Sequence, residues 1–236
     1  LPRAPVVADA GYGVVTKFRE EITTRGLSYA VGITGDVTVW PPGMEPLPPR
    51  PWTGNGRKPT LLRRDSHHKP VSVKALAKQL HAKEWRTVRW REGTRGMMKS
   101  RFAAVRVRAA HRDQGCTALR ETEWLLVEWP KDEAEPTKYC LSSVPEDVLI
   151  EDIVRLVKIR WRIERDYEEM KDELGLDHYE GRGWRGFHHH GALCIAAYAF
   201  LVAERARLSP PAPLAFLYKD VRVPKGFQPR GSPGTP

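Results

Sequence analysis

The first forty residues pair two short apolar runs with one amphipathic segment. Residues 5–9 are typical of a short buried strand that ends in an acid, and residues 10–13 contain the glycines of a turn. A helical pattern follows over residues 14–25, with Gly26 as its C-terminal cap. Residues 27–33 form a second apolar strand. The order strand, helix, strand predicts a parallel α/β unit.

The pattern changes at a proline-rich stretch. Residues 41–51 hold six prolines in 11 positions, and proline interrupts both helices and the interior of sheets. We therefore expect a domain boundary here. The following pattern of short strands with one amphipathic helix, near residues 73–81, predicts a β-rich inserted domain over residues 41–144. The strand candidates are residues 102–107, 123–129 and 139–142.

The C-terminal third is helical in pattern. Residues 145–174 predict one long helix that opens with proline and acids and ends at Gly175. The apolar run 192–203 lies within a second helix, over residues 191–207. This run is well short of the roughly 18 residues of a membrane span, so it predicts a buried helix and no membrane association. Residues 208–236 contain seven prolines and predict a disordered or loosely docked tail.

Composition indicates a folded protein of a reducing compartment. The chain has 236 residues, of which 41% are hydrophobic and 8 are tryptophan, enough for a packed core. Its three cysteines are far apart, which argues against a disulfide framework or a thiolate zinc site and favours the cytoplasm. There is no signal-peptide pattern and no initiator methionine. We expect the chain to be the C-terminal portion of a longer protein.

The positive charge is concentrated in one segment. The formal net charge is +10, yet residues 50–112 alone hold 18 Lys and Arg against three acids, a net of +15, while the rest sums to −5. Tryptophans are interleaved with these cations, as in surfaces that track phosphates and stack bases. A solvated, arginine-rich loop region is the alternative interpretation. The candidate DNA-contacting residues of this segment are Arg63, Arg64, Trp85, Arg86 and Trp90.

A second set of charges repeats along the predicted long helix. Arg160, Glu164, Glu168 and Lys171 stand at i, i+4, i+8 and i+11, so they share one face. An ordinary salt-bridge stripe on a solvated helix has the same pattern. Asp9, at the end of a strand, favours a further role, because carboxylates from a strand end and an adjacent helix can share divalent metals. Flanking cations would then hold the phosphates of a bound strand.

Both sites resemble motifs of one family. The stretch from Arg160 (RWRIE) through Lys171 resembles the Y-(2)-R-(3)-E-(6)-K signature of bacterial insertion-sequence transposases of the DDE type. The opening VVADAGYG, residues 6–13, resembles the region around the second catalytic Asp of that family. The resemblance implies an α/β fold with an RNase H-like core interrupted by a β-rich insertion. Residues 1–40 would then be a core unit, residues 41–144 the insertion, and residues 145–207 the closing helices.

The resemblance also implies a chemistry. Asp9 and Glu164 would be two of three carboxylates that bind Mg²⁺ (or Mn²⁺), and Arg160 and Lys171 would contact double-stranded DNA near the cleaved end. Intact members would act as homodimers in the bacterial cytoplasm. Two departures stand out: the signature's Tyr falls on Val157, and the family's first Asp, with the first core strands, would lie upstream of this chain.

Three functions follow as hypotheses. The first is a transposase fragment, for DNA transposition by metal-dependent phosphodiester hydrolysis and strand transfer, which binds DNA with little or no cleavage by itself because the first Asp is missing. The second is a non-catalytic DNA-binding remnant or regulator of a full-length transposase. The third, an unrelated metal nuclease, requires a further acid near Asp9 and Glu164, with Asp36 and Asp177 as candidates.

Overall fold

One mixed sheet organises the part of the chain that the computed structural model describes, residues 4–93 and 96–208. Its strand order is β1-β2-β8-β7-β6-β3-β4, and β5 pairs with β6 outside this path. The pair β1 and β2 is parallel, and the other pairings are antiparallel. The strands are β1 (Val6–Ala8), β2 (Tyr29–Ile33), β3 (Thr38–Trp40), β4 (Val71–Ser72), β5 (Arg86–Gly93), β6 (Gly96–Ala109), β7 (Thr122–Trp129) and β8 (Lys138–Ser142).

The described part of the chain has six α-helices. They are α1 (Ala10–Gly13), α2 (Thr16–Thr24), α3 (Val73–Gln79), α4 (Ile150–Lys158), α5 (Trp161–Leu174) and α6 (Trp184–Leu208). Of these, α2 and α3 cover one face of this sheet and α4 covers the other. One core packs Ile22 of α2 and Leu76 of α3 against the sheet. The other core packs Ile153 and Val154 of α4 against the opposite face. Alternate apolar residues of the strands thus point to opposite faces of the sheet and contribute to both cores.

The N-terminal unit has the predicted order of strand, helix and strand, but the predicted turn at residues 10–13 is the short helix α1, and α2 begins at Thr16 rather than at residue 14. Strand β1, helices α1 and α2, and strand β2 follow one another, and Gly26 adopts a positive φ of 66° after the last turn of α2. The expectation of a buried first strand is wrong, since β1 is half-buried. The physical reason is its position, because β1 lies at the edge of the described sheet and pairs with β2 alone.

The strands of residues 41–144 join the same sheet. The candidates at residues 102–107, 123–129 and 139–142 are confirmed as parts of β6, β7 and β8, and the helix near 73–81 is α3. Strand β8 pairs directly with β2, so no separate sheet marks the predicted insertion, and the division of the chain into core and insertion stays a prediction. Residues 41–70 carry an isolated bridge between Leu47 and Arg63 and no helix or strand, as the prolines indicate.

The predicted long helix is two helices. A turn at Ile159 and Arg160 separates α4 from α5, so the expectation of one helix over residues 145–174 is wrong. At this turn the hydrogen bonds shorten from i−4 to i−3, since Arg162 N donates to Ile159 O and Ile163 N to Arg160 O. Gly175 ends α5 with a φ of 64°, as predicted.

Helix α6 contradicts the expectation of a buried helix. It begins at Trp184, and Cys194 is the one buried residue among its described positions, while Phe200 is 63% exposed. It contacts α5 along one side, where the hydroxyl of Tyr198 donates to Asp166. Even so, no helix in the described ranges has the length and apolar character needed to cross a membrane. The predicted tail over 208–236 lies, beyond Leu208, outside the described residues.

Candidate functional site

A cavity of about 450 Å³ lies where the end of β1 faces the junction of α4 and α5. Asp9 lines it from the strand end, and Arg160 and Trp161 line it from the start of α5. Leu126 of β7 and Cys140 of β8 form part of its wall, which places it on the α4 side of the sheet. The cavity therefore joins the two segments that the sequence singled out, although they are far apart in the chain.

Asp9 is held by the turn that follows β1. It is the N-cap of α1, and its carboxylate accepts a 3.0 Å hydrogen bond from the amide of Gly11. Gly13 closes this turn against β2, since a Cβ on Gly13 would lie 1.9 Å from the carbonyl oxygen of Gly32. This close approach requires glycine and explains part of the AGYG pattern. The Asp9 side chain itself is exposed to solvent.

Buried polar side chains lie next to the same turn, on α2, β2 and β7. The guanidinium of Arg19, on α2, donates to the carbonyl of Gly13. Below it, the hydroxyl of Tyr29 donates to the buried carboxyl of Glu123 over 2.5 Å. Burial raises the pKa of Glu123, and burial together with the Glu123 carboxyl raises the pKa of Tyr29. The loop that carries Asp9 is thus attached to α2 through Arg19 and packs on β2 through Gly13.

Arg160 and Glu164 contact each other on the surface. The Arg160 Nη2 atom lies 3.6 Å from Glu164 Oε1; the Arg160 side chain is 42% exposed and that of Glu164 is 68% exposed. Glu164 occupies the first turn of α5, where the helix dipole favours a carboxylate. Further along α5, Arg165 pairs with Glu169 over 3.2 Å. The helix thus carries a salt-bridge stripe, and Arg160 is the member of it that lines the cavity.

The carboxylates present do not make up a complete metal site. Asp9 and Glu164 offer the oxygen ligands that Mg²⁺ prefers. However, the described residues include no group of three or more His, Cys, Asp or Glu that would hold an ion. Asp36 lies in the turn between β2 and β3, Asp177 lies 3.7 Å from His178, and neither lines the cavity. We therefore derive no metal-dependent step from these residues.

Sequence reasoning missed an ion pair in the cavity wall. The ammonium of Lys158 donates to Glu128 over 2.7 Å, and it lies 4.6 Å from the ring centroid of Trp90. Burial lowers the pKa of Lys158, and its hydrogen bond to Glu128 opposes that shift. The available signal was Glu128 itself, an acid within an apolar strand pattern. Its partner lies 30 residues away and has no local signature.

A second missed contact ties β5 to α5. The guanidinium of Arg91 stacks 3.8 Å above the ring of Trp161. Both residues line the cavity. This cation–π contact places the first turn of α5 against the sheet.

The two predicted tryptophans lie in different cores. Trp85 packs against Trp129, with ring centroids 5.3 Å apart, on the face covered by α2 and α3. Trp90 packs edge-on to Phe102 at 5.7 Å, on the face covered by α4, and lines the cavity. Both rings are half-buried, so packing within the protein accounts for much of their surface.

The predicted cations are also dispersed. Arg64 contacts the buried carboxylate of Asp113, which also accepts a hydrogen bond from the indole of Trp40. Arg63 donates to the carbonyl of Pro48 over 2.9 Å. Arg86 is exposed at the start of β5, and Lys171 is exposed in the last turn of α5. Of the predicted DNA contacts, the structure brings Arg160 and Trp90 together at the cavity.

A comparison with known families adds to this geometry. Residues 1–97 match the model of a family described as DDE superfamily endonuclease. The matched part includes Asp9 and β5 and ends before α5, so it supports a DDE-type, transposase-like family, whereas the signature on α5 lies outside it. No curated protein matches the chain.

Proposed function

We propose that this chain acts on double-stranded DNA as part of a DDE-type transposase, and that the cavity beside Asp9 receives a phosphate of the bound strand. One observation carries the proposal: Asp9 and Arg160 line the same cavity. The match of residues 1–97 to DDE superfamily endonucleases supports an endonuclease-type function on DNA. An RNase H-like arrangement of the core is part of the same proposal.

Each residue has a role in this proposal. Arg160 binds a phosphate oxygen, because its side chain lines the cavity, is 42% exposed, and lies 3.6 Å from Glu164, longer than a close ion pair. Asp9 and Glu164 would be oxygen ligands to Mg²⁺ or Mn²⁺ in an assembled complex. Since the described residues complete no group of three ligands, we expect DNA binding from this chain alone and assign no cleavage step to it. A homodimeric assembly stays a prediction.

The second candidate is a non-catalytic DNA-binding regulator. The salt-bridge stripe on α5 favours it, because Glu164 there has a structural partner without any metal. This function needs the basic segment of residues 50–112 and makes no use of either carboxylate.

The test measures binding and nicking with the full chain. Fluorescence anisotropy follows a 30-base-pair duplex, and conversion of supercoiled plasmid to the nicked form follows cleavage in Mg²⁺ and in Mn²⁺. We expect Arg160→Gln to weaken duplex binding about fivefold at 0.15 M salt and to lower the salt slope by about 0.9, as expected when one phosphate is no longer neutralised. Unchanged affinity and slope would contradict the proposed phosphate position.

Carboxylate variants separate the candidates. Both candidate functions predict that Glu164→Gln and Asp9→Asn change duplex affinity by no more than about twofold. The transposase function alone predicts that Arg160→Gln weakens duplex binding. Glu180→Gln, an exposed acid beyond α5, is the matched control. Mg²⁺-dependent nicking that Glu164→Gln abolishes and Glu180→Gln leaves intact would show that this chain completes a catalytic site, which would overturn the expectation of binding alone.

A further inference from the structure

Strands β5 and β6 project beyond the rest of the sheet as a two-stranded ribbon. The pairing of β6 with β7 begins at Arg101, opposite Trp129. The residues of β6 before Arg101 pair with β5 alone. We call residues 86–93 and 96–101 the β5–β6 ribbon. One face of the ribbon packs against α4 and α5 through Val88, Trp90 and Arg91, whereas the other face carries exposed cations.

Three exposed cations share one face of this ribbon. Arg89 lies directly opposite Lys99 in the strand register. Arg101 lies two positions from Lys99, so both side chains point to the same face, about 6.8 Å apart along the strand. The guanidinium of Arg101 stacks 4.0 Å above the ring of Trp129, which orients it. The three cations therefore form one row on this face, with Arg101 oriented by Trp129.

No described carboxylate neutralises this row. Among the side chains that the structure describes, Arg89, Lys99 and Arg101 have no carboxylate oxygen within 4.0 Å. Like charges directly opposite each other destabilise a strand pair. By contrast, Lys74 and Lys78 on α3 both bind Glu135. The unneutralised row fits a surface that an external polyanion covers.

We infer that Arg89, Lys99 and Arg101 on the β5–β6 ribbon bind the sugar-phosphate backbone of double-stranded DNA. A two-stranded ribbon has the width that the major groove of B-DNA admits. The row lies on the α2 and α3 side of the sheet, with Trp129, whereas the cavity lies on the α4 side. It is a second DNA-binding surface, separate from the cavity.

The ribbon also connects to the cavity. Arg91, on the same strand as Arg89, stacks on Trp161 at the start of α5. DNA held by the ribbon is thereby placed at a defined position relative to Arg160. The choice of DNA as the partner rests on the proposed function, while the residues and the face follow from the ribbon alone.

The test compares two triple variants of the full chain. Arg89→Gln, Lys99→Gln and Arg101→Gln together remove the row. Arg25→Gln, Lys74→Gln and Lys78→Gln together are the control, because they remove the same charge from residues that have carboxylate partners. Because the row variant leaves three phosphates without a cation, its duplex affinity falls about 100-fold at 0.15 M salt and its salt slope falls by about 2.7. The control changes affinity less than about fivefold.

Three outcomes would overturn the inference. The first is an equal loss of duplex affinity in both triple variants, and the second is an unchanged salt slope in the row variant. The third is an equal loss of affinity by the row variant for a single strand of the same sequence, which would refute the duplex as partner. Circular dichroism checks that the triple variants are folded. Lys99→Gln alone is the milder variant, and we expect it to keep or raise the melting temperature and to bind the duplex about fivefold more weakly. If Arg160→Gln leaves duplex affinity unchanged while the row variant loses affinity, the proposed phosphate position in the cavity is wrong and the inference about the ribbon is supported.

Discussion

The ion pair between Lys158 and Glu128 yields a quantitative prediction about the cavity wall. Their side chains are 19% and 9% exposed, and Nζ lies 2.7 Å from Oε2. A second ammonium, on Lys138, lies 4.0 Å from the same carboxylate. Glu128→Gln leaves the Lys158 ammonium among Trp90 and Phe102 with an amide as its remaining polar partner. Breaking a buried pair from one side costs about 3–5 kcal/mol, and the amide offsets part of this, so we expect about 3 kcal/mol.

The double-mutant cycle isolates the interaction. Lys158→Met leaves Glu128 with the more distant Lys138, and we expect a loss of about 2 kcal/mol. The double variant leaves neither charge buried and unpaired, and its loss should be about 2 kcal/mol or less. The coupling energy is then about 3 kcal/mol, well above the error of about 0.5 kcal/mol for independent sites. Urea unfolding, followed by tryptophan fluorescence, measures all four free energies of unfolding.

Additive losses within about 0.5 kcal/mol would refute this reasoning. The pH dependence is an independent check. Because burial lowers the pKa of Lys158, the folded protein releases this proton before the unfolded chain does. The unfolded chain then binds more protons, so this group makes stability rise as pH increases from the lowered pKa towards 10.5. Lys158→Met should lack that rise.

Two further predictions concern the backbone and the surface. Gly13→Ala places a Cβ 1.9 Å from Gly32 O and should cost about 3 kcal/mol in chemical unfolding, whereas Gly115→Ala, with open space around it, should change little; equal effects would contradict the close packing. Lys74 and Lys78 lower the pKa of Glu135 to about 2. Its stabilisation is therefore present above about pH 4.5 and lost as pH falls towards 2, so Glu135→Gln should lower the melting temperature at pH 7 and match the unmodified protein near pH 2.

Local patterns predicted the elements well where one face was both apolar and periodic. The strands around Phe102, Leu125 and Leu141 follow from alternation and from their short length. Gly26 and Gly175 end helices at the expected positions because each adopts the left-handed conformation, which glycine reaches without strain and which closes the last turn. The turn at Arg160 was missed, since helical propensity continues across it and packing of α4 on the sheet decides where that helix ends.

Burial was harder to predict than the type of element. The apolar run around Phe200 indicates a helix correctly, but hydrophobicity does not say what covers it, and α6 contacts α5 along one side. Strand β1 was expected to be buried because its residues are apolar, but no second strand pairs with its outer edge among the described residues. In both cases the neighbour that would bury an apolar face is a tertiary property, absent from any local window.

The features of the candidate site also separate into those that local sequence sets and those that tertiary structure sets. The sequence alone determined the carboxylate at a strand end, the Arg and Glu one turn apart on a helix, and the basic segment of net +15, because each depends on neighbours within a few residues. The tertiary structure decided that Asp9 and Arg160 share a cavity, that Trp85 and Trp90 lie on opposite faces, and that Arg89, Lys99 and Arg101 form one row. These relations depend on strand register and sheet order, which long-range pairing sets and no local spacing encodes.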